Sequence, residues 1–335
     1  MLIIGGAGFI GINAAQSFAA QGWRVTLFDN LSRKGGQDNL DWLRRRHNVG
    51  FVKGDIRDRE ALEQLFAARR YDAVLHLAAQ VAVTTSVADP REDFEINALG
   101  TLNVLEAVRQ HCPQASVIFA STNKVYGKLD DLRVVERGGR YAFAASQGVG
   151  EERPLDFHSP YGCSKGAADQ YMVDYARIYG LNTTSFRQSC IYGPRQFGVE
   201  DQGWVAWFAI AATLGRQITI YGDGRQVRDV LHVDDLVRAY ALAVENPAAV
   251  RGRAFNVGGG PGETLSLLEL VALLEERLCR RIAPAFGEWR AGDQKVYVSD
   301  IARLEQALGW RPQIGVGEGV GRLIDWVAEN RALFA

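Results

Sequence analysis

The sequence predicts an α/β fold, a doubly wound, mostly parallel sheet joined to a smaller mixed α/β lobe, and three observations carry that expectation. Short apolar runs alternate with segments of helical period, a glycine-rich turn links the first run to the first helix, and the texture becomes loop-rich after about residue 182. The runs are Leu2-Ile4, Val25-Asp29, Val49-Lys53, Ala73-His76 and Val117-Ala120, and the helical segments are Ile10-Ala20, Arg59-Arg69 and Phe94-His111. Such runs joined by helical crossovers belong to a parallel sheet buried on both faces, with ligands at the carboxyl ends of its strands. Further on, Pro194, Gly198 and Gly203 punctuate a loop, and helices are expected near Trp204-Leu214, Val233-Val244, Leu265-Cys279, Ile301-Leu308 and Gly319-Asn330. The expected division is 1–185 and 186–335, with some of the later chain crossing back. Residues 128–158 are polar, glycine-interrupted and too long for an ordinary connection, which predicts an inserted flap or surface excursion.

With 335 residues, 47% hydrophobic and 23% charged, the chain can bury a full core. Its formal net charge of -1 gives no field that favours nucleic acid or an anionic membrane. Small molecules are the expected partners, with no nucleic acid and no membrane. Cys112, Cys163, Cys190 and Cys279 are widely spaced without a CxxC pair, so neither a metal site nor a disulfide framework is expected and a reducing compartment fits. The opening Met1-Leu2-Ile3-Ile4 runs straight into glycines, and no later span of about 18 apolar residues follows; a cytoplasmic location is expected.

The run Gly5-Gly6-Ala7-Gly8-Phe9-Ile10-Gly11 follows a strand and opens an apolar helix. Gly5, Gly8 and Gly11 then have separate mechanical tasks, a tight turn, close backbone approach to a pyrophosphate, and close helix-to-strand packing. Asp29 ends the second strand 18 residues after Gly11, near the separation of an acid that hydrogen-bonds the adenosine ribose and repels a 2'-phosphate. A Rossmann-type NAD site is the expectation, with Arg33 the one nearby feature that opposes the choice of NAD over NADP.

Ser159-Pro160 is a helix start, with serine as N-cap and proline at the first helical position, so Tyr161 and Lys165 fall on one helical face. A free tyrosine has a pKa of about 10, and lowering it by about 3 units needs about 4 kcal/mol of differential stabilisation. Lys165 and an oxidised nicotinamide are the expected sources. The phenolate then takes a proton from a sugar hydroxyl, and a third group must hold that hydroxyl. Ser121 and Thr122, at the end of the Val117-Ala120 run, lie at the right edge of the sheet.

Together with Gly5 to Gly11, the stretches Asp29-Asn30-Leu31-Ser32, Gly54-Asp55-Ile56, His76-Leu77-Ala78-Ala79-Gln80, Asn97, Ser121-Thr122-Asn123-Lys124-Val125-Tyr126-Gly127, Tyr161-xxx-Lys165 and Tyr192-Gly193-Pro194-Arg195 resemble the extended short-chain dehydrogenase/reductases that act on nucleotide sugars. The resemblance covers essentially the whole chain. It implies that Thr122 completes the catalytic set with Tyr161 and Lys165. It also implies that Asp55 and Ile56 flank the adenine and that Ala78, Ala79 and Gln80 line the cofactor groove. Phe9, Ile10, Asn30, Ser32, Arg33, Leu77, Asn97 and Gln188 complete the implied NAD site. Gly222-Asp223-Gly224-xxx-Arg228-Asp229 and Trp289-Arg290-xx-Asp293 look like substrate motifs, in which Arg228 and Arg290 would clamp a diphosphate. The alternative for each arginine is a structural ion pair. Ser86, Asn123, Gln196 and Trp204 are the remaining implied substrate contacts, and Cys190 stands where the family usually has asparagine. Members commonly dimerise, and some form tetramers, through helices that correspond to Asn97-His111 and Tyr161-Tyr179.

Members that dehydrate the sugar carry an Asp-Glu pair after the Ser-Thr, because elimination needs a general acid and base. Asn123 and Lys124 stand there instead. A Cys-His pair for carbanion chemistry, Cys163 or Cys190 with His158 or His232, is a second possibility. Asp29 to Gly35, Ser121 to Gly127, Leu155 to Tyr171 and Asp201-Gln202-Gly203-Trp204 are most similar to the members that epimerise CDP-linked sugars at C2. The implied reaction is transient oxidation at C2 to a 2-keto sugar and return of hydride to the opposite face, with NAD regenerated each turnover. Epimerisation at C2 or C4 of another nucleotide sugar, such as CDP-glucose or a UDP-hexose, is the alternative. A non-catalytic NAD-binding protein would need neither the Thr-Tyr-Lys set nor the arginines.

Overall fold

The computed structural model describes residues 1–290 and 293–334. The first half runs β1 (Leu2–Ile4), α1 (Phe9–Ala20), β2 (Thr26–Asp29), α2 (Gly36–Arg44), β3 (Gly50–Lys53), α3 (Arg59–Ala68), β4 (Ala73–His76), α4 (Val83–Ala88), α5 (Pro90–Phe94), a π-helical turn over Glu95–Leu99, α6 (Gly100–His111), β5 (Ser116–Thr122), the hairpin β6 (Val134–Arg137) and β7 (Arg140–Phe143), and α7 (Pro160–Tyr179). The second half runs β8 (Asn182–Gln188), β9 (Cys190–Tyr192), α8 (Trp204–Leu214), β10 (Thr219–Tyr221), β11 (Val227–His232), α9 (Val233–Glu245), α10 (Pro247–Val250), β12 (Ala254–Val257), β13 (Thr264–Ser266), α11 (Leu267–Leu278), β14 (Ala285–Gly287), β15 (Val296–Tyr297), α12 (Ala302–Leu308) and α13 (Val316–Glu329).

Seven strands form one parallel sheet in the order β12-β8-β5-β4-β1-β2-β3. Alternate residues feed two separate cores. Ile3, Leu27, Leu75 and Ile118 pack with α1, α2 and α9, whereas Leu2, Ile4, Val74, Val117 and Phe119 pack with α3, α6 and α7. That two-sided burial is why the strands read as unbroken apolar runs. The chain leaves β1 toward β2 and β3, then returns to β4 on the other side, so the strand order reverses between β1 and β4 and opens a crevice at their carboxyl ends.

A mixed sheet of β9, β11, β13 and β15 and the parallel pair β10 and β14 build the second lobe, with a core formed by α8, α11 and α13. α9 joins the core on the α1 side, and β12 extends the large sheet beyond β8. β8 straddles the expected division after residue 185, because its whole length pairs with β5.

Three local expectations change. The expected helix over Phe94-His111 contains the π-helical turn, which carries Asn97. The expected helix over Leu265-Cys279 starts later, because Ser266 caps it and Glu269 returns the bond in a capping box, leaving Thr264–Ser266 to pair with β11. Residues 128–158 do not hang free. Leu129, Phe143 and Val149 share a core with Val227, Val296 and Tyr297, and Tyr141 Oη donates to Asp223 Oδ2 at 2.6 Å. Among the described residues no helix is long and apolar enough to cross a membrane.

Helix α7 is fixed to the sheet by a buried ion pair. Arg187 on β8 donates from Nη2 to Asp169 Oδ1 at 2.8 Å and from Nε to Asp169 Oδ2 at 3.2 Å. Burial opposes the Asp169 charge, but the guanidinium outweighs it and holds the carboxyl below its ordinary range. The pair therefore contributes its full stability above the ordinary carboxylate range and loses it as pH falls through the depressed value. Asp169→Ala, which strands the guanidinium, is expected to lower stability by about 3–5 kcal/mol in urea unfolding at neutral pH. A loss under 1 kcal/mol would show that the pair does not hold α7.

Candidate active site

The cofactor crevice begins where β1 ends. Gly5 has φ +80°, and a Cβ there would meet Ala78 N at 2.5 Å; a Cβ on Gly11 would overlap Gly5 O. The chain turns tightly at Gly5 and packs closely at Gly11, and neither position has room for a side chain. Gly8 is the N-cap of α1 and no side chain caps the helix, so its first-turn N–H groups and positive dipole end suit a phosphate. Phe9 and Ile10 pack half-buried against the α1-side core. Asp29 accepts from Ala7 N at 3.0 Å and Leu31 N at 2.7 Å, which ties the end of β2 to the glycine turn. Burial raises its pKa, and these backbone bonds oppose the rise.

Asp55 is clamped by Arg57 and by Asn30 Nδ2 at 2.9 Å, and the Arg57 hydrogen bonds hold its carboxyl at about 2. Ser32 is exposed, its N–H closing on Asn30 Oδ1, and Ile56 is buried under Gly100. Arg33 reaches across the crevice, donating to Gln202 Oε1 at 3.0 Å and Ala79 O at 3.4 Å. Leu77 N continues the β1 ladder to Ile4 O, leaving Ala78 against Gly5.

Gln80 and Asn97 differ from the expectation of direct groove contacts. Asn97 Oδ1 accepts from Gln80 N at 3.0 Å, and its Nδ2 faces Gln80 O, Asp93 Oδ1 and Ser164 Oγ. Gln80 Nε2 donates to Asp93 Oδ1 at 2.8 Å. Both side chains are saturated inside the protein and shape the groove from behind. Gln188 is also turned inward, donating to Tyr240 Oη at 2.5 Å.

Ser159 Oγ accepts from Gly162 N at 3.0 Å and Pro160 takes the first helical position, so α7 begins where the sequence places it. Tyr161 and Lys165 are both buried, 7% and 2% exposed. Burial pushes the Tyr161 phenol up to about 12; the Thr122 hydroxyl pulls it down, Asp93 adds to the rise, and Arg33 opposes it. Burial brings Lys165 down to about 7, against the carboxylates of Asp169 and Asp93. Its ammonium donates to Ala120 O at 2.5 Å and lies 4.0 Å over the Phe119 ring. Thr122 Oγ1 caps the turn after β5, accepting from Lys124 N at 3.2 Å. The chemistry available here is proton transfer at a phenol, beside a cation and a dinucleotide groove.

On the lobe side, Arg228 donates only to Val227 O and pairs with no carboxylate among the described residues. Arg290 differs from the expected clamp: it pairs with Asp201 at 2.9 Å and lies 3.9 Å over the Tyr221 ring, because Tyr221 and the 200–202 loop converge on it. Ser86 also differs. It is fully buried and its hydroxyl turns back to Val83 O at 2.7 Å within α4. Gln196 Nε2 donates to Ile191 O at 3.4 Å while its Oε1 has no partner, Trp204 Nε1 reaches Cys190 Sγ at 3.4 Å, and Asn123 is buried beside Thr122. Lys124, which the sequence offers only as a missing acid, lies near Arg228: burial, then Arg228, brings its ammonium down to about 8, against Asp293 and Cys190.

Among the described residues no hydrogen bond joins Cys163 or Cys190 to His158 or His232. His158 is engaged by Asp156 at 2.6 Å, His232 Nδ1 accepts from Asp234 N at 3.2 Å, and burial pushes the Cys190 thiol up. Among the described residues no group of three or more His, Cys, Asp or Glu is placed to hold a metal. Asp93, whose carboxylate joins Gln80, Asn97 and Ser164, is the residue that sequence reasoning missed; no motif marks it.

The profile of the NAD dependent epimerase/dehydratase family matches residues 1–258. The chain belongs to that family. It is 48% identical over 334 residues to CDP-paratose 2-epimerase of Salmonella typhi, covering 98% of this chain and 99% of that one. UDP-glucose 4-epimerase of Thermotoga maritima, solved with UDP-glucose, superposes with a TM-score of 0.85 at 32% identity over 98% and 99% of the two chains. The Thermus thermophilus UDP-glucose 4-epimerase complex with NAD gives 0.81 at 36% identity over 97% of each. The glycine turn, Asp29 and the uncapped start of α1 fit a dinucleotide of the kind the family name implies.

Asp29→Ala removes the acceptor shared by Ala7 N and Leu31 N and is expected to weaken NAD binding about 10–100-fold by calorimetry, with the fold intact by circular dichroism. An unchanged Kd would remove Asp29 from the site.

Proposed function

We propose that the chain is an NAD-dependent nucleotide-sugar 2-epimerase of the CDP-paratose to CDP-tyvelose type. The observation that carries this reading is the 48% identity, over nearly all of both chains, to the Salmonella typhi enzyme, against 32% and 36% for the two UDP-glucose 4-epimerase structures. The buried Thr122, Tyr161 and Lys165 support redox epimerisation rather than carbanion chemistry, and Asn123 with Lys124 disfavours dehydration.

Held by the Gly5–Gly11 turn, the start of α1 and Asp29, NAD supplies a reversible hydride acceptor. Thr122 holds the reacting sugar hydroxyl, and Tyr161 takes its proton as the carbon is oxidised. Lys165 lowers the cost of the phenolate. Arg228 and Lys124, two cations without ion-pair partners among the described residues, hold the diphosphate end while the keto sugar presents its other face. Tyr161 then returns the proton.

Incubation with CDP-paratose is expected to give the C2-inverted product by NMR. Turnover of CDP-glucose or a UDP-hexose with CDP-paratose untouched would reassign the substrate. Tyr161→Phe is expected to lower turnover about 10²–10⁴-fold while NAD stays bound; near-normal turnover would exclude Tyr161 as the base. We further propose a homodimer, with a tetramer as its doubled form, because Phe94, Leu99, Tyr171, Ile178 and Tyr179 expose apolar surface on α7 and the α5–α6 rod. A monomer in sedimentation at micromolar concentration would exclude it.

A further inference from the structure

Asp93 is a buried carboxylate bonded to the first turns of α7 through Ser164, and it is 1% exposed. Its Oδ1 accepts from Gln80 Nε2 at 2.8 Å and Asn97 Nδ2 at 3.1 Å; its Oδ2 accepts from Ser164 Oγ at 2.5 Å. Two of the neighbours are amide N–H donors and the third is a hydroxyl. None of them is a cation, so the charge is solvated by neutral dipoles and its field reaches the groups above it. Ser164 lies between Tyr161 and Lys165 in sequence, and its hydroxyl also faces Tyr161 O at 3.2 Å. Asn97 sits in the π-helical turn, a local distortion that places it against both Asp93 and Ser164.

The charges around the pair are few. From α7 come Tyr161, Lys165 and Asp169; from α5, Asp93; from the loop after β2, Arg33; β4 contributes His76, which burial holds near 3 and therefore neutral. The segments nearest Asp93, residues 80–82 and the π-turn, bring only the amides of Gln80 and Asn97. Asp169 is neutralised by Arg187, which leaves Asp93 as the unpaired negative charge that acts on both Tyr161 and Lys165.

In a redox epimerisation the proton taken by Tyr161 must stay on the phenol for as long as the sugar is a ketone and turning. The ammonium of Lys165 favours the loss of that proton. We propose that Asp93 is a positioning residue for the Tyr161–Lys165 pair: it seats Ser164 and Asn97, and its charge keeps the proton on Tyr161 and on Lys165 during the interval between oxidation and reduction. The inference rests on the 2-epimerase reading and deepens it.

Asp93→Asn keeps the shape and removes the charge. The phenolate then forms more easily, so the acid limb of turnover is expected to move about 1 pH unit lower. The phenol holds the proton of the oxidised state less well, so the steady-state absorbance of reduced cofactor at 340 nm is expected to fall about tenfold at fixed pH. Asp93→Glu restores the charge and is expected to return the limb. A slower Asp93→Asn enzyme with an unmoved limb and unchanged 340 nm signal would overturn the inference and leave Asp93 a packing residue. If Asp93→Asn does not fold, Ser164→Ala keeps the charge: a limb at or above its wild-type pH supports the inference, and a limb moved lower overturns it. Wild-type enzyme that epimerises no nucleotide sugar would instead defeat the functional reading.

Discussion

The position of α7 is the constraint on which the site depends, and the buried Asp169–Arg187 pair sets it. The pair ties the third turn of α7 to β8, while Arg187 Nη1 also donates to Tyr126 Oη at 3.0 Å and Ser185 Oγ donates to Asp169 Oδ2 at 2.5 Å. Asp169 is one helical turn beyond Lys165, so the lysine cannot shift along the sheet without breaking a desolvated ion pair. Thr122 lies in register with Gln188 on the neighbouring strand. Base, cation and hydroxyl are thereby indexed to the same two strands.

Burial then decides the electrostatics. Taking Tyr161 and Lys165 out of water favours the neutral form of each, which is why the phenol stands near 12 and the amine near 7. The ammonium compensates with a carbonyl and an aromatic face instead of the phenol.

What the sequence disclosed follows locality. The Gly5–Gly11 turn, the Ser159-Pro160 start and the Tyr161–Lys165 spacing are set within a few residues by φ, capping and helical period, so a linear pattern carries them. Arg290 and Asn97 depended on partners far along the chain or on a helical defect. Arg290 pairs with Asp201, and Asn97 closes on Gln80 and Ser164, relations that no spacing rule contains. Asp93 was hidden for the same reason: its donors come from three elements, and alone it reads as an exposed acid in a polar helix. The Leu265 boundary was missed because a capping box can follow a strand as readily as continue a helix.

Residues 128–158 complete the constraint from the lobe side. Val125 and Tyr126, which follow Lys124 directly, share a core with Leu129, Phe143, Val149, Val296 and Tyr297, and Tyr126 Oη donates to Asn256 Oδ1 at 2.8 Å. The inserted hairpin also grips the lobe through Arg140 with Glu269 at 3.0 Å and Arg225 with Glu136 at 2.7 Å. The turn that carries Thr122, Asn123 and Lys124 is therefore packed between the sheet and the lobe, not poised on a hinge. A hydride returned to the opposite face of a carbon requires relative motion of sugar and protein by about half a rotation. With Thr122, Tyr161 and Lys165 all indexed to β5 and β8, the proposed reaction leaves the sugar as the part free to rotate, about a diphosphate that we propose is held at Arg228.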